Sequence, residues 1–115
     1  MLRGEIRLVD LDPALHGEAN KRRPAVVVSN DRANATAARL GRGAITVVPI
    51  TSNLTHVYPF QVALPAEETG LRMDSKAQAE QIRSVSVERL GPALGRVPAP
   101  LMALVDDALR LHLQL

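Results

Sequence analysis

Three consecutive basic residues directly precede a predicted buried β-strand in the first quarter of the chain. Lys21, Arg22 and Arg23 precede Pro24, and the run Ala-Val-Val-Val-Ser follows. Valine is stiff at χ1 and fits a pleated, buried surface, so residues 24–29 are predicted to form a core strand. Pro24 fixes its own φ and pushes the preceding residue towards extended backbone. Arg23 is therefore predicted to lie at the mouth of a buried strand on a restrained backbone.

The guanidinium of Arg23 is the first candidate for a functional group. Arginine stays charged and presents a planar fork of donors that suits phosphate. An arginine held rigidly at the lip of a core is therefore a candidate anion site. The alternative is that residues 21–23 form only a solvated loop end, since basic clusters are common in proteins. This stretch alone leaves both interpretations open.

The composition favours a single folded domain that is mildly compatible with a polyanionic partner. The 115 residues are 46% hydrophobic and carry a formal net charge of +2, which fits one domain over residues 1–115. The only aromatic residues are Tyr58 and Phe60, which argues against an RNA-recognition module built on stacked aromatics. The absence of cysteine excludes disulfides and thiolate metal sites. The sequence has no apolar run long enough to predict a membrane span. We therefore expect a soluble, cytoplasmic protein without a membrane partner.

Local patterns predict several short strands, one short helix and a terminal helix. Asn30 and Asp31 suit the cap of the short helix, and Pro100 suits the first position of the terminal one. These elements favour an α+β, mainly β fold built on a small, strongly bent sheet or barrel. Strands are predicted over residues 5–11, 24–29, 44–50, 58–64, 77–85 and 94–97, helices over 32–40 and 100–113, a loop over 14–21 and a turn over 65–72. The near-continuously apolar run 44–50 is predicted to be central.

The terminal helix has apolar residues on more than one face. Helical spacing groups some of them on one side and leaves Met102 and Leu113 on others. One face can then pack on the sheet and another on a second copy, which predicts a homodimer with an isologous interface. Internal packing on two sides is the alternative. The residues assigned to the first side are Leu101, Leu104, Val105 and Leu109.

The side chains available for chemistry are arginine, hydroxyl and carboxylate groups. The three histidines, His16, His56 and His112, have no metal-ligand spacing, and neither a phosphate-binding glycine loop nor a serine-nucleophile elbow is present. We therefore expect no metal and no cofactor. Thr51 follows a predicted strand and Glu18 lies in the loop before Arg23. Taken alone, a threonine in Thr-Ser-Asn is most often a turn residue, and such a glutamate is most often solvated.

At this point the sequence resembles the MazF/PemK toxins of bacterial toxin–antitoxin systems along nearly its whole length. Each matching motif is weak alone, but seven in the family's order make the resemblance specific. The motifs are Arg3-Gly4-Glu5-Ile6, Leu11-Asp12-Pro13, Gly17-Glu18, Arg23-Pro24-Ala25-Val26-Val27-Val28, Val48-Pro49-Ile50-Thr51-Ser52, Tyr58-Pro59-Phe60 and Glu80-Gln81-Ile82-Arg83-Ser84. The resemblance implies a small SH3-like barrel with a short helix and a C-terminal helix, forming a homodimer.

The resemblance also implies an activity and a set of partners. The family's members cut single-stranded RNA, messenger or other, at a short sequence without metal, which inhibits translation and growth. A cognate MazE-like antitoxin neutralises them. The implied chemistry is attack by the substrate's own 2′-hydroxyl, leaving a 2′,3′-cyclic phosphate and a 5′-hydroxyl end. A non-catalytic barrel whose basic groove binds an acidic protein partner is the alternative, but such a protein would lack Arg23 or Thr51, and both are present.

The family's functional residues map onto particular positions of this sequence. Its catalytic arginine falls on Arg23 and its threonine on Thr51, and a glutamate used by some members falls on Glu18. The PemK branch has a histidine directly before that glutamate, where this chain has Gly17 and a histidine one residue earlier. That branch also has Arg-x-Asp where this chain has Gln78-x-Glu80. The expected RNA contacts are Lys21, Arg22, Ser52, Asn53, Glu80, Gln81 and Arg83.

Overall fold

Seven antiparallel strands and three α-helices make up the part of the chain that the computed structural model describes, residues 1–11 and 22–115. The strands are β1 (Glu5–Asp10), β2 (Arg22–Val27), β3 (Ala44–Thr51), β4 (Gln61–Leu64), β5 (Ser75–Gln78), β6 (Arg83–Ser86) and β7 (Leu90–Arg96). The helices are α1 (Asp31–Leu40), α2 (Ala66–Thr69) and α3 (Ala99–Leu113), and 3₁₀ turns cover Ala79–Gln81 and Val87–Arg89. None of the helices in these ranges has the length and apolarity needed to cross a bilayer.

The sheet is organised around β3. Its strand order is β4-β5-β3-β2-β1-β7, and β6 pairs with β3 as well. β3 therefore has β2 along one edge and both β5 and β6 along the other. This confirms the mainly β fold with a short helix and a C-terminal helix, and it confirms the central place predicted for the apolar run 44–50.

Two hydrophobic clusters cover the two faces of β2 and β3. Val26 and Val48 belong to the cluster that packs against α3, whereas Val27 and Val47 belong to the one that packs against α1. Side chains alternate across a strand, so a strand buried on both faces must be apolar at successive positions. This explains why the valine run is uninterrupted.

The predicted single strand over residues 77–85 is wrong, because β5 and β6 are separated by the turn Ala79–Gln81. Ile50 lies opposite Ala77, but Val47 lies opposite Arg83, so the register along β3 shifts by three residues across the turn. The predicted strand over 58–64 is too long, since β4 begins only at Gln61. Tyr58 instead accepts a 2.9 Å hydrogen bond from the Gln61 N–H, which closes a turn around a proline that has no N–H for a ladder.

Both predicted helices are present, and the structure shows which face of α3 packs on the sheet. Asn30 caps α1 by accepting a 2.8 Å hydrogen bond from the Ala33 N–H, as the sequence indicated. In α3, which begins one residue before Pro100, Met102 is buried against the sheet, whereas Leu104 is 50% exposed. The sequence analysis had placed these two side chains on different faces without assigning either face to the sheet. The sheet lies on the stripe formed by Met102, Val105 and Ala108, a choice of face that helical spacing alone does not make.

Candidate active site

A cleft of about 410 Å³ opens where β2 begins and β3 ends. Ala25 lies opposite Pro49 in the antiparallel pairing of these strands, and the same register two residues further along brings Arg23 beside Thr51. Both side chains line the cleft. Residues that are distant in sequence thus meet because the two strands run in opposite directions. The full lining is Arg23, Pro24, Ile50, Thr51, Ser52, Gly70, Leu71, Arg72, Met73, Ser75 and Leu94.

Arg23 is a half-buried cation that the described residues do not neutralise. Its strand neighbour on the side of β1 is Val9, an apolar residue. The ion pairs formed among residues 1–11 and 22–115 join other arginines to carboxylates and do not include Arg23. As far as residues 1–11 and 22–115 are concerned, the fork of donors on Arg23 is available to an anion that enters the cleft.

The hydroxyl of Thr51 is oriented by the loop that follows it. The Asn53 N–H donates a 3.2 Å hydrogen bond to Thr51 Oγ1, and the Thr55 N–H donates one of 3.1 Å to the Asn53 side-chain oxygen. A hydroxyl has one proton to donate and lone pairs to accept. Because Thr51 Oγ1 already accepts from Asn53, its own proton remains available to a phosphoryl oxygen in the cleft.

Lys76 fixes the same loop from the neighbouring strand. It lies opposite Thr51 in the β3–β5 pairing and is only 6% exposed. Its Nζ donates to the His56 carbonyl oxygen and lies 5.9 Å from the centroid of the Tyr58 ring. Tyr58 in turn stacks on Phe60, with centroids 5.4 Å apart. Lys76 therefore holds the loop that follows Thr51 and lies next to the stacked aromatic pair.

Arg22 does not line the cleft. Its Nη2 lies 3.3 Å from the point that a β-carbon on Gly91 would occupy, so the side chain reaches over β1 towards β7. Successive residues of a strand point to opposite faces, which explains why the adjacent arginines separate.

Three of the predicted RNA-binding residues lie away from the cleft, on β6 and on the turn before it. Arg83 is opposite Val47, four residues before Thr51, or about 13 Å along the strand. Glu80 accepts a 2.8 Å hydrogen bond from Gln61 through Oε2, and its buried Oε1 has no hydrogen-bond partner among the described residues. Gln81 is exposed on the intervening turn. None of the three lines the cleft.

The other predicted site residues divide between the cleft region and the undescribed segment. Ser52 lines the cleft, and Asn53 contributes through the hydrogen bond that its N–H donates to Thr51. Glu18, Lys21 and His16 lie outside the described residues. Within the described ranges, no group of three or more histidine and carboxylate side chains could hold a metal ion.

The sequence prediction missed one wall of the cleft, formed by Leu71, Arg72, Met73 and Leu94. Residues 71 and 72 had been assigned only to a turn. They reach the cleft because α2 packs closely on β7: a β-carbon at Gly95 would lie 2.0 Å from the Thr69 carbonyl oxygen. The signal that could have indicated this contact is the glycine within a predicted strand, which often marks a close backbone approach.

The fold and the cleft define a small, mainly β protein in which an arginine and a threonine hydroxyl lie side by side in one cleft. Residues 2–113 match the sequence model of a family described as PemK-like, MazF-like toxins of type II toxin–antitoxin systems. The chain belongs to this family.

Relatives in sequence and in structure cover nearly the whole chain. It is 68% identical over 115 residues to endoribonuclease MazF9 of Mycobacterium tuberculosis, covering all of this chain and 98% of the relative. It is 32% identical over 114 residues to endoribonuclease EndoA of Bacillus subtilis, covering 98% of this chain and 94% of the relative. A solved structure of an endoribonuclease in complex with its cognate antitoxin, from a mycobacterial species, matches with a TM-score of 0.76 at 26% identity. That match covers all of this chain and 96% of the other.

Proposed function

We propose that this chain is a toxin endoribonuclease that cuts single-stranded RNA by metal-independent attack of the substrate's own 2′-hydroxyl. The observation that carries the proposal is the pair formed by Arg23 and Thr51 in one cleft, with Arg23 unpaired among the described residues. Relatives named as endoribonucleases support the same activity.

The proposed reaction needs charge stabilisation and two proton movements. The 2′-oxygen bonds to phosphorus as its proton leaves, the bond from phosphorus to the 5′-oxygen breaks, and that oxygen takes up a proton. The products are a 2′,3′-cyclic phosphate and a 5′-hydroxyl end. The Arg23 fork binds the non-bridging oxygens, and the Thr51 hydroxyl donates to one of them as negative charge builds up. Glu18 is the proposed proton carrier, since a carboxylate is a common general acid or base.

We propose a second copy of the chain and an antitoxin as the protein partners. Leu104 and Leu111 are exposed on α3, and they border a groove that α3 forms with β4. An exposed apolar strip of this kind suits an isologous interface between two copies. The antitoxin complex of the mycobacterial structural relative supports a MazE-like partner for this chain. RNA as substrate makes the cytoplasm the proposed compartment.

The decisive experiment distinguishes RNA cleavage by this chain from cleavage by a contaminating nuclease and from metal-dependent cleavage. The purified protein is incubated with a mixed RNA pool in excess chelator, and new 5′-hydroxyl ends are mapped. We expect cuts at a short recurring sequence. Thr51→Val, which keeps the shape and removes the donor, should cut about a hundredfold more slowly in single-turnover assays. Arg39→Ala, an exposed change on α1, is the matched control and should cut at the parent rate. Cutting that requires added metal, or that survives Thr51→Val unchanged, would contradict the proposed mechanism.

A further inference from the structure

The cleft contains much more apolar surface than a phosphate site needs. Besides Arg23 and Thr51 it is lined by Leu71, Met73 and Leu94, which we call the apolar wall. Met73 is 62% exposed and Leu94 is 37% exposed. An apolar surface beside a cation marks a place where a ligand with a charged part and a flat apolar part can bind.

The backbone that carries Leu71 and Met73 is held at both ends. The Leu71 N–H donates to Thr69 Oγ1 at 3.3 Å, and the Ala66 N–H donates to Asp74 Oδ1 at 2.8 Å. In addition, Ser75 Oγ donates to the Met73 carbonyl oxygen at 2.9 Å. Met73 is therefore an exposed methionine on a restrained loop. Its flexible, polarisable side chain can adapt to a ligand without loss of backbone order.

The size and chemistry of the cleft match a nucleotide. A volume of about 410 Å³ lies within the range of small-molecule sites, and a phosphate on Arg23 and Thr51 fills only a small part of it. In single-stranded RNA each phosphate is flanked by bases whose faces are apolar and whose edges carry hydrogen-bonding groups. Ser75 Oγ already donates to Met73, so it offers lone pairs to an amino group on a base edge. Arg72, also in the lining, supplies donors for base acceptors.

We propose that the apolar wall binds the nucleobase next to the cut phosphate, and that Met73 and Leu94 determine part of the cleavage-site preference. This proposal rests on the proposed RNA-cleaving function and assigns one of its subsites. The three side chains come from the α2–β5 connection and from β7, and α2 packs closely on β7 at Gly95.

Cleavage mapping tests the assignment. Met73→Ala and Leu94→Ala are compared with Leu40→Ala, a control on α1 whose side chain is 49% exposed and does not line the cleft. In a randomised RNA pool, the preference for one base over the others at one position flanking the cut should fall about fivefold to tenfold in both wall variants. Preferences elsewhere should stay. On the preferred substrate, KM should rise more than kcat falls, which a general loss of folding would not produce. Unchanged preference and KM in both variants would overturn the proposal.

A binding measurement keeps the subsite testable even if the chain does not cut RNA. The probe is a trinucleotide with 2′-deoxyribose at the position of attack, which cannot be cut, and its partner lacks the base beside that phosphate. The methyl signal of Met73 is followed by NMR, with that of buried Met102 as the internal control. The complete probe should shift the Met73 signal at least several-fold more than the abasic one. Equal shifts would overturn the base-binding assignment, whereas base-dependent shifts without cleavage would overturn only the proposed activity.

Discussion

Arg3, Arg7 and Arg23 are all half-buried, but the first two have carboxylate partners and the third has none among the described residues. Arg3 donates to Asp106 at 2.5 Å and to the Val28 carbonyl oxygen at 2.7 Å. Arg7 donates to Glu5 at 3.1 Å and to the Gly91 carbonyl oxygen at 2.9 Å. Arg23 has no such carboxylate among the described residues. The comparison indicates that the first two arginines stabilise the fold, and the lack of a carboxylate beside Arg23 in the described residues fits the proposed role of Arg23 in binding phosphate.

Removing the cleft arginine tests the functional half of this comparison and should have the largest effect. Arg23→Ala removes the proposed main stabiliser of phosphoryl charge, so cleavage should fall by about a hundredfold or more, on the order of 3 kcal/mol in the barrier. Folding should be intact, because Arg23 belongs to neither hydrophobic cluster. Single-turnover cleavage of a labelled RNA, with circular dichroism as the folding control, gives both quantities. A folded variant that cuts at the parent rate would place the active site elsewhere.

Removing a paired arginine tests the structural half. Arg3→Ala breaks the bonds to Asp106 and Val28 and leaves a carboxylate and a carbonyl oxygen short of a donor. We expect the free energy of unfolding to fall by about 1–2 kcal/mol, with solvent screening of the partly exposed pair included. Thermal or urea unfolding measures the change. The single-turnover cleavage rate of the folded fraction should match that of the parent. A fall in this rate as large as that caused by Arg23→Ala would show that the paired arginines and Arg23 do not differ in role.

Arg22 sharpens the comparison, because it is adjacent to Arg23 but lies outside the cleft. If it contacts a flanking phosphate, Arg22→Ala should weaken RNA binding modestly and leave single-turnover cleavage nearly intact. The slope of log affinity against log salt should become less steep by about 0.7, the value for one neutralised phosphate on a single strand. Binding titrations at several salt concentrations give the slope. An unchanged slope would remove Arg22 from the RNA contacts.

The smallest effect concerns Glu5, the partner of Arg7. Burial acts to raise the pKa of Glu5, but the hydrogen bond from the Leu2 N–H and the nearby Arg7 outweigh it and lower the pKa below its usual 4.5. A lowered carboxyl pKa stabilises the fold above the unfolded value, and this contribution is lost as the pH falls through the folded value. The Tm difference between the parent and Glu5→Gln should therefore be constant near neutral pH and shrink below about pH 4.5. A difference that grows in acid would contradict this sign.

The sequence was informative wherever a local pattern decided the structure. The valine run, the apolar strand 44–50 and the caps of α1 act within a few residues, and each is present. Arg23 and Thr51 were found because they belong to sequence motifs. Met73 and Leu94 were not, because they reach the cleft only through packing between α2 and β7. The turn at Ala79–Gln81 that separates β5 from β6, and the choice of the α3 face with Met102 to pack on the sheet, likewise depend on tertiary contacts. Residue spacing along the chain carries no information about such contacts.

The contact at Gly95 has a consequence for engineering the protein. Any side chain at this position meets the Thr69 carbonyl oxygen, so substitution displaces the backbone that carries Leu71, Arg72 and Met73 instead of changing one contact. A library that aims at new cutting preferences should therefore keep residue 95 as glycine and vary the exposed positions 72, 73 and 94. Substitutions at those positions change side chains that line the cleft, whereas a substitution at 95 displaces the backbone that carries residues 71–73.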